Sequence, residues 1–214
     1  MNRRVQDEWL DGMDADDLAA VRSRRDLRLI NTMMGGERWI VQQLRECEGI
    51  THCIEIGAGE GRLAESIKAS FPEMKVSALD RIARPVGLSE EVEWIQGDVF
   101  QLNDVVRMRP SVAVVANLFV HHFEDGELQN LFEMLDGVGV ILLAEPYRSK
   151  GAILLGKMIY PLVNDVTKHD MIISIEAGFV KWELTRLLGD RWVCQEWKSL
   201  LGGLRLKGVR GRRE

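Results

Sequence analysis

The sequence predicts an α/β fold: a doubly wound, mostly parallel seven-stranded sheet with N-terminal helices, a helical insertion after strand 5 and a C-terminal antiparallel hairpin. Three observations predict it. Short runs that are apolar on both faces alternate with segments of helical periodicity, as in a parallel sheet covered on both sides. Polar residues recur where those runs end, at or beside Glu55, Asp80, Asp98, Asn117 and Glu145. Three glycines alternate directly after the first run, at positions 57, 59 and 61.

Each element follows in order. From Asp16 to about Leu44, the apolar residues Leu18, Val21, Leu27, Ile30 and Met34 recur at three- and four-residue steps, so this stretch reads as helix. The pair Gly35 and Gly36 interrupts it. His52–Ile56 is a first strand, ending in the glycines, and Arg62–Phe71 is a helix closed by Pro72. Lys75–Leu79 is a strand ending in Asp80, and Glu93–Gln96 is one ending in Gly97 and Asp98. Ser111–Ala116 leads to Asn117, Asp125–Leu135 is helical, and Val138–Ala144 leads to Glu145. Beyond Pro146 the alternation stops. A helix over Ser149–Val163, a polar run over Asn164–Asp170 and a helix over Ser174–Leu188 are expected, then a hairpin from Arg191–Trp197 and Gly203–Val209.

With 214 residues, the chain reads as one domain able to bury its own core. Within it, residues 1–45 form an N-terminal helical lid and residues 46–146 the half beneath the glycine turn. Residues 147–173 cap the active edge, and 174–214 supply the closing helix and hairpin. Hydrophobic residues make up 46% and charged residues 29%, the mix of an ordinary soluble protein. A net charge of -5 argues against a surface devoted to nucleic acid. The acidic stretch Asp7–Asp17 and the basic stretch Arg205–Arg213 read as solvated ends. Three cysteines, Cys47, Cys53 and Cys194, form no CxxC pair and fit free thiols in a reducing compartment. No apolar run approaches the ~20 residues that span a bilayer, and the N-terminus is too acidic for a targeting peptide. A cytoplasmic protein, monomer or homodimer, is expected.

A strand, a glycine turn and a helix N-terminus together hold many nucleotide-like ligands, because bare backbone lets the ligand approach free N–H donors. The pyrophosphate form of this turn needs its third glycine three residues after the second. Arg62 stands there, which disfavours a nicotinamide oxidoreductase. The run Glu55-Ile-Gly-Ala-Gly-Glu-Gly61 instead resembles motif I of class I (Rossmann-like) S-adenosylmethionine-dependent methyltransferases. The resemblance implies that Gly57, Ala58, Gly59 and Gly61 lie against the cofactor, with Glu55 shaping the pocket. It implies that Asp80, with Arg81 beside it, holds the ribose hydroxyls. Asp98 would take the adenine amino group, Val99 would pack near the ring, and Asn117 would lie near the sulfonium. The segments Asn117–Phe123, Glu145–Ser149, Asn164–Asp170 and Ala177–Phe179 are similar to bacterial small-molecule methyltransferases, of a kind associated with lipid- or polyketide-type biosynthesis.

Methyl transfer from a sulfonium needs alignment, and a base where the acceptor keeps its proton. The candidate bases are His121 and His122, just after Asn117, and His169 beside Asp170. The resemblance favours His122 and His169 over His121. Tyr147, Arg148, Tyr160, Asn164 and Asp170 are candidates for the acceptor pocket. The spacing of His121, His122, His169 and Asp170 matches no defined metal site, so no metal is expected. The predicted partner is a small-molecule acceptor, methylated on a phenol or enol oxygen or on an activated carbon. An RNA methyltransferase of the adenine-N6 kind would carry proline and tyrosine after Asn117; Leu118, Phe119 and Val120 stand there instead. A non-catalytic cofactor-binding protein would keep Glu55, Asp80 and Asp98 equally well. Leu29, Ile30 and Asn31, with Gly35 and Gly36, fall where N-terminal helices close over the cofactor.

Overall fold

Five apolar runs form strands where expected, and they stack in parallel. The computed structural model describes residues 1–14, 16–102 and 109–211. Its strands are β1 (His52–Ile56), β2 (Lys75–Asp80), β3 (Val92–Gln96), β4 (Val112–Asn117), β5 (Val140–Pro146), β6 (Trp192–Lys198) and β7 (Gly203–Arg210). Among the described residues these make one seven-stranded sheet, ordered β3-β2-β1-β4-β5-β7-β6. The first five are mutually parallel; β7 runs antiparallel to both β5 and β6. In register, Ile54 sits between Ser77 and Val114 and Cys53 between Val76 and Ala113, all of them buried, so the centre of the sheet is covered on both faces.

Helices cover both faces. On one, α2 (Gly36–Arg45) and α3 (Arg62–Ser70) bury Trp39, Ile40, Leu63 and Ile67 against Val115 and Leu142. On the other, α4 (Asp125–Met134) and α7 (Glu183–Leu188) bury Leu128, Leu131, Phe132 and Leu184 against Ile54 and Val114. Burying a side chain of this size contributes roughly 1.5–3 kcal/mol, so the two layers hold the sheet rigidly. No helix among the described residues is long and apolar enough to cross a membrane. All three cysteines are free.

Above the carboxyl ends of the strands lies a third layer: α1 (Leu18–Met34), α5 (Lys150–Met158) and α6 (Asp165–Ala177). Asp17 caps α1, accepting from Ala19 N at 2.6 Å. Gly35, at φ +68°, turns the chain directly from α1 into α2. Here two expectations are corrected. The polar run Asn164–Asp170, expected to separate two helices, is itself the start of one: the Asn164 side chain accepts from Thr167 N at 2.8 Å and caps α6. The helix expected over Ser174–Leu188 is divided, because at Gly178 the chain runs extended against Pro146, where a Cβ would stand 2.3 Å from the Pro146 carbonyl oxygen. The basic stretch Arg205–Arg213 begins inside β7, so Arg205 and Lys207 are sheet residues; positions 212 and 213 lie outside the described residues.

Candidate active site

The strand order reverses between β1 and β4, and ligands of open α/β sheets bind at such a crevice. The glycine turn lies there. Gly57 has φ +67°, and a Cβ on it would stand 2.0 Å from the Phe119 ring, so this glycine admits an aromatic packed on the turn. Gly59 has φ +51° and meets nothing within 4 Å in its Cβ direction, leaving its backbone open. Asp80 faces the turn from the neighbouring strand end. Its Oδ2 accepts from Gly59 N at 2.7 Å and its Oδ1 from Ile82 N at 3.2 Å.

The other predicted cofactor residues have identifiable local roles. Glu55 is buried and accepts from Ala64 N at 2.8 Å, fastening the first turn of α3; burial pushes its carboxyl well above the usual carboxylate range. Gly61 packs against Leu88, and the Ala58 N–H donates to the Leu79 carbonyl. Asp98 accepts from Phe100 N at 3.0 Å and pairs with the exposed Arg81 at 2.6 Å; both contacts hold it below its ordinary range. Val99 is buried next to it. Asn117 stands against α2, where a Cβ on Gly36 would lie 2.2 Å from its Oδ1. From α1, Arg28 reaches Glu60 within the turn at 2.8 Å.

A cavity of about 290 Å³ opens between the sheet end and the helical layer. Its walls are mostly apolar: Leu27, Ile30 and Met34 from α1, Leu155 from α5, Met171 and Ile175 from α6. Its polar side chains, among the described residues, are Glu8, Asn31, His121, His122 and Ser174. Leu118 is also in its wall and holds φ +56°, a left-handed conformation costing a β-carbon residue about 1–2 kcal/mol. That turn throws the chain from β4 into a 3-10 turn (Val120–His122).

Glu145, at the end of β5, organises this turn. One carboxylate oxygen accepts from Phe119 N and Val120 N, both at 3.0 Å; the other accepts from His121 Nδ1 at 2.7 Å. A carboxylate can only accept here, so Nδ1 carries a proton and Nε2 is the nitrogen on the side of Glu8. His121 is only 3% exposed, and its Nε2 has no hydrogen-bond partner. The nearest counter-charge to that nitrogen is Glu8 Oε1 at 3.7 Å. Burial alone would lower the His121 pKa, but Glu145 and Glu8 outweigh it and push it up to about 9. His122 goes the other way, lowered by burial and by the neighbouring His121. Asn31 Oδ1 is a second buried atom without a partner in this wall.

Several residues predicted for the acceptor side are placed elsewhere. The His169 ring stacks on Trp9 at 3.7 Å, its Nδ1 meets Asp170, and it does not line the cavity. Asp170 is fully buried and accepts from Trp9 N and Leu10 N, fastening the N-terminal segment. Asn164 caps α6 and donates to the Ala19 carbonyl. Arg148 is buried, bonding the carbonyls of Met1 and Gly178 and pairing with Glu183 at 2.6 Å. Tyr147 lies under Lys198, and Tyr160 packs beside the buried Ala152, Met171 and Ile175. Asp170, Asn164 and Arg148 are bonded within the protein, and none of these six residues lines the cavity. Sequence reasoning missed Glu8 entirely and gave no site role to Glu145. A lone carboxylate closing an otherwise apolar strand is a legible signal for the second; nothing in the sequence marks the first.

No family model matches the chain. Pluviatolide O-methyltransferase of Sinopodophyllum hexandrum is 26% identical over 181 residues, 80% of this chain and 45% of that protein. Strychnine O-methyltransferase of Strychnos nux-vomica is 23% identical over 189 residues, 86% of this chain and 47% of that protein. The chain thus spans about half the length of the curated relatives it matches. Among solved structures, the plantazolicin methyltransferase BpumL in complex with SAH superposes with a TM-score of 0.69 at 13% identity, covering 92% of each chain. These findings give the chain the Rossmann-like fold of class I methyltransferases.

Proposed function

We propose that this chain is an S-adenosylmethionine-dependent methyltransferase acting on an oxygen of a small, largely apolar acceptor, with His121 as the base. The observation that carries the reading is the buried, unpartnered Nε2 of His121, a residue of the wall of an apolar cavity that Leu118, directly after Asn117 at the end of β4, also lines. The relatives, named as O-methyltransferases, support the reaction class. The residues present suit the cofactor. Open backbone at Gly59 admits a nucleoside, and Asp80 supplies an anionic acceptor for a vicinal diol. Asp98 and Val99 would hold the adenine, and Asn117 would lie near the methionine end. Glu55 acts indirectly, by fixing the helix start beneath.

When bound, the cofactor supplies an already activated methyl group, so this chain's residues supply position and a proton acceptor. The apolar walls exclude water and seat the acceptor's hydrocarbon body. Glu145 holds the proton on Nδ1, so Nε2, once deprotonated as pH rises towards about 9, takes the acceptor's hydroxyl proton. His122 is a lining residue under this reading. The cavity size and its single cluster of polar groups favour a small molecule over a nucleic-acid strand, and residues 147–173 serve as the acceptor-side cap through Leu155 and Met171.

Calorimetry with S-adenosylhomocysteine and NAD tests the cofactor. The first should bind, the second should be silent, and Asp80→Ala should weaken the first by roughly 10- to 100-fold, the loss of a charged hydrogen bond. Unchanged affinity in that variant would remove the pocket from consideration. A screen of phenolic and quinone-derived acceptors, reading released S-adenosylhomocysteine, then identifies the substrate class.

A further inference from the structure

The N-terminal segment is strapped across the end of the sheet by many separate bonds. Arg3 donates to the carbonyls of His121, Phe123 and Ala177, at 3.1, 2.6 and 2.8 Å, and pairs with Asp125 at 2.9 Å. The backbone N–H of Arg4 donates to the Glu176 carbonyl, and those of Trp9 and Leu10 donate to Asp170. Between these anchors Glu8 points inward, into the wall of the cavity. Its Oε1 accepts from the Ser174 hydroxyl and lies 3.7 Å from His121 Nε2. His121 therefore has one carboxylate on each side: Glu145 bonded to Nδ1 and Glu8 facing Nε2.

We propose that Glu8 is a positioning residue of the active site, holding the His121 ring from the cavity side and stabilising the imidazolium formed when His121 takes the acceptor's proton. This rests on the reading of His121 as the base. In that step the acceptor O–H bond breaks and its proton passes to Nε2. The oxygen's electron pair forms the bond to the methyl carbon, and the carbon–sulfur pair stays with the departing thioether. A sulfonium cation is consumed as an imidazolium cation appears, and a nearby anion favours the second over bulk solvent. The separation between Glu8 and Nε2 exceeds hydrogen-bonding distance, so Glu8 acts on the ring by charge and leaves the nitrogen without a bonded partner.

The charge that His121 carries is set by every element around it. Glu145 faces it from β5, Glu8 and Asp11 from the N-terminal segment and His122 from its own turn, while Asp170 of α6 acts on His122 and Asp11; Arg3 holds its carbonyl. Of these, Glu8 is the one a single uncharged substitution removes without unfastening the strap, since Arg3, Trp9 and Leu10 bond through other groups.

The test is an NMR titration of the His121 imidazole in the free protein, in native form and as Glu8→Gln. The midpoint should fall by roughly one pH unit on loss of an opposite charge at this distance, and Glu8→Asp should restore part of the fall. In the turnover assay the pH profile of kcat/KM should shift the same way. A His121 midpoint unmoved in Glu8→Gln overturns the inference, and so does turnover abolished by a chelator, because Glu8, His121 and His122 bring donor atoms within 4.8 Å of one another and a bound cation would then explain them. Should Glu8→Gln fail to fold, the native protein decides: the Glu8 carboxyl carbon signal must move at the His121 midpoint, and independence of the two overturns the coupling. Because the titration needs neither cofactor nor acceptor, it separates this inference from the base reading, which fails if His121→Gln keeps its turnover.

Discussion

The two halves of the proposed site are built by different rules. The cofactor half comes from strand ends consecutive in the chain, with Glu55, Asp80 and Asp98 closing β1, β2 and β3 or following them directly. The acceptor half draws Glu8, Asn31, His121, Glu145 and Ser174 from five elements far apart in sequence. A parallel sheet fixes the first arrangement through register alone. The second depends on how helices and the N-terminal segment pack above that sheet, so it can diverge while the fold stays the same.

The glycine turn offers the sharpest way to break this comparison, because its glycines serve different neighbours. Gly57→Ala must displace the Phe119 ring and hold φ +67°, and it should destabilise the protein by roughly 2–4 kcal/mol in denaturant unfolding. Gly59→Ala meets open space, so it should lose only about 1 kcal/mol of stability while weakening S-adenosylhomocysteine binding in calorimetry. Equal stability losses in the two would show that Gly59 is a packing glycine and no part of a ligand seat.

The next effect concerns pH. In the folded protein the His121 pKa lies above its ordinary value of 6.5, at about 9, so folding favours the protonated ring. Its contribution to stability is complete below about pH 6.5 and is lost as pH rises through about 9. The difference in thermal midpoint between native protein and His121→Gln, measured across that window, should shrink as pH rises. A difference that grows instead would mean His121 is folded neutral. On the activity side the sign is opposite, since the base form is gained over the same range.

His169→Ala should have the smallest effect, less than threefold on turnover, because the ring packs on Trp9 outside the cavity. A hundredfold loss would return it to the mechanism and demand a different arrangement of the N-terminal segment.

His169 also shows where the sequence stopped being informative. The fold was legible because five apolar runs ending in polar residues have few other solutions, and the turn and Asp80 were legible because they lie at fixed offsets from those runs. The polar run Asn164–Asp170 had no such frame. Its residues could face a cavity, cap a helix or anchor another segment, and the last two satisfy them here. The choice between His121 and His122 turned on the strained Leu118 and the reach of Glu145, neither visible as periodicity. Glu8, within an acidic stretch that reads as solvated, is partly buried because the strap around Arg3 folds back over the sheet.

The account stands most directly on one paired measurement on His121→Gln: its affinity for S-adenosylhomocysteine and its turnover with the acceptor found by screening. Affinity within about threefold of native, with turnover reduced on the order of 10²- to 10⁴-fold, is the expected result for loss of a general base. Turnover near the native level with the cofactor still bound would contradict it.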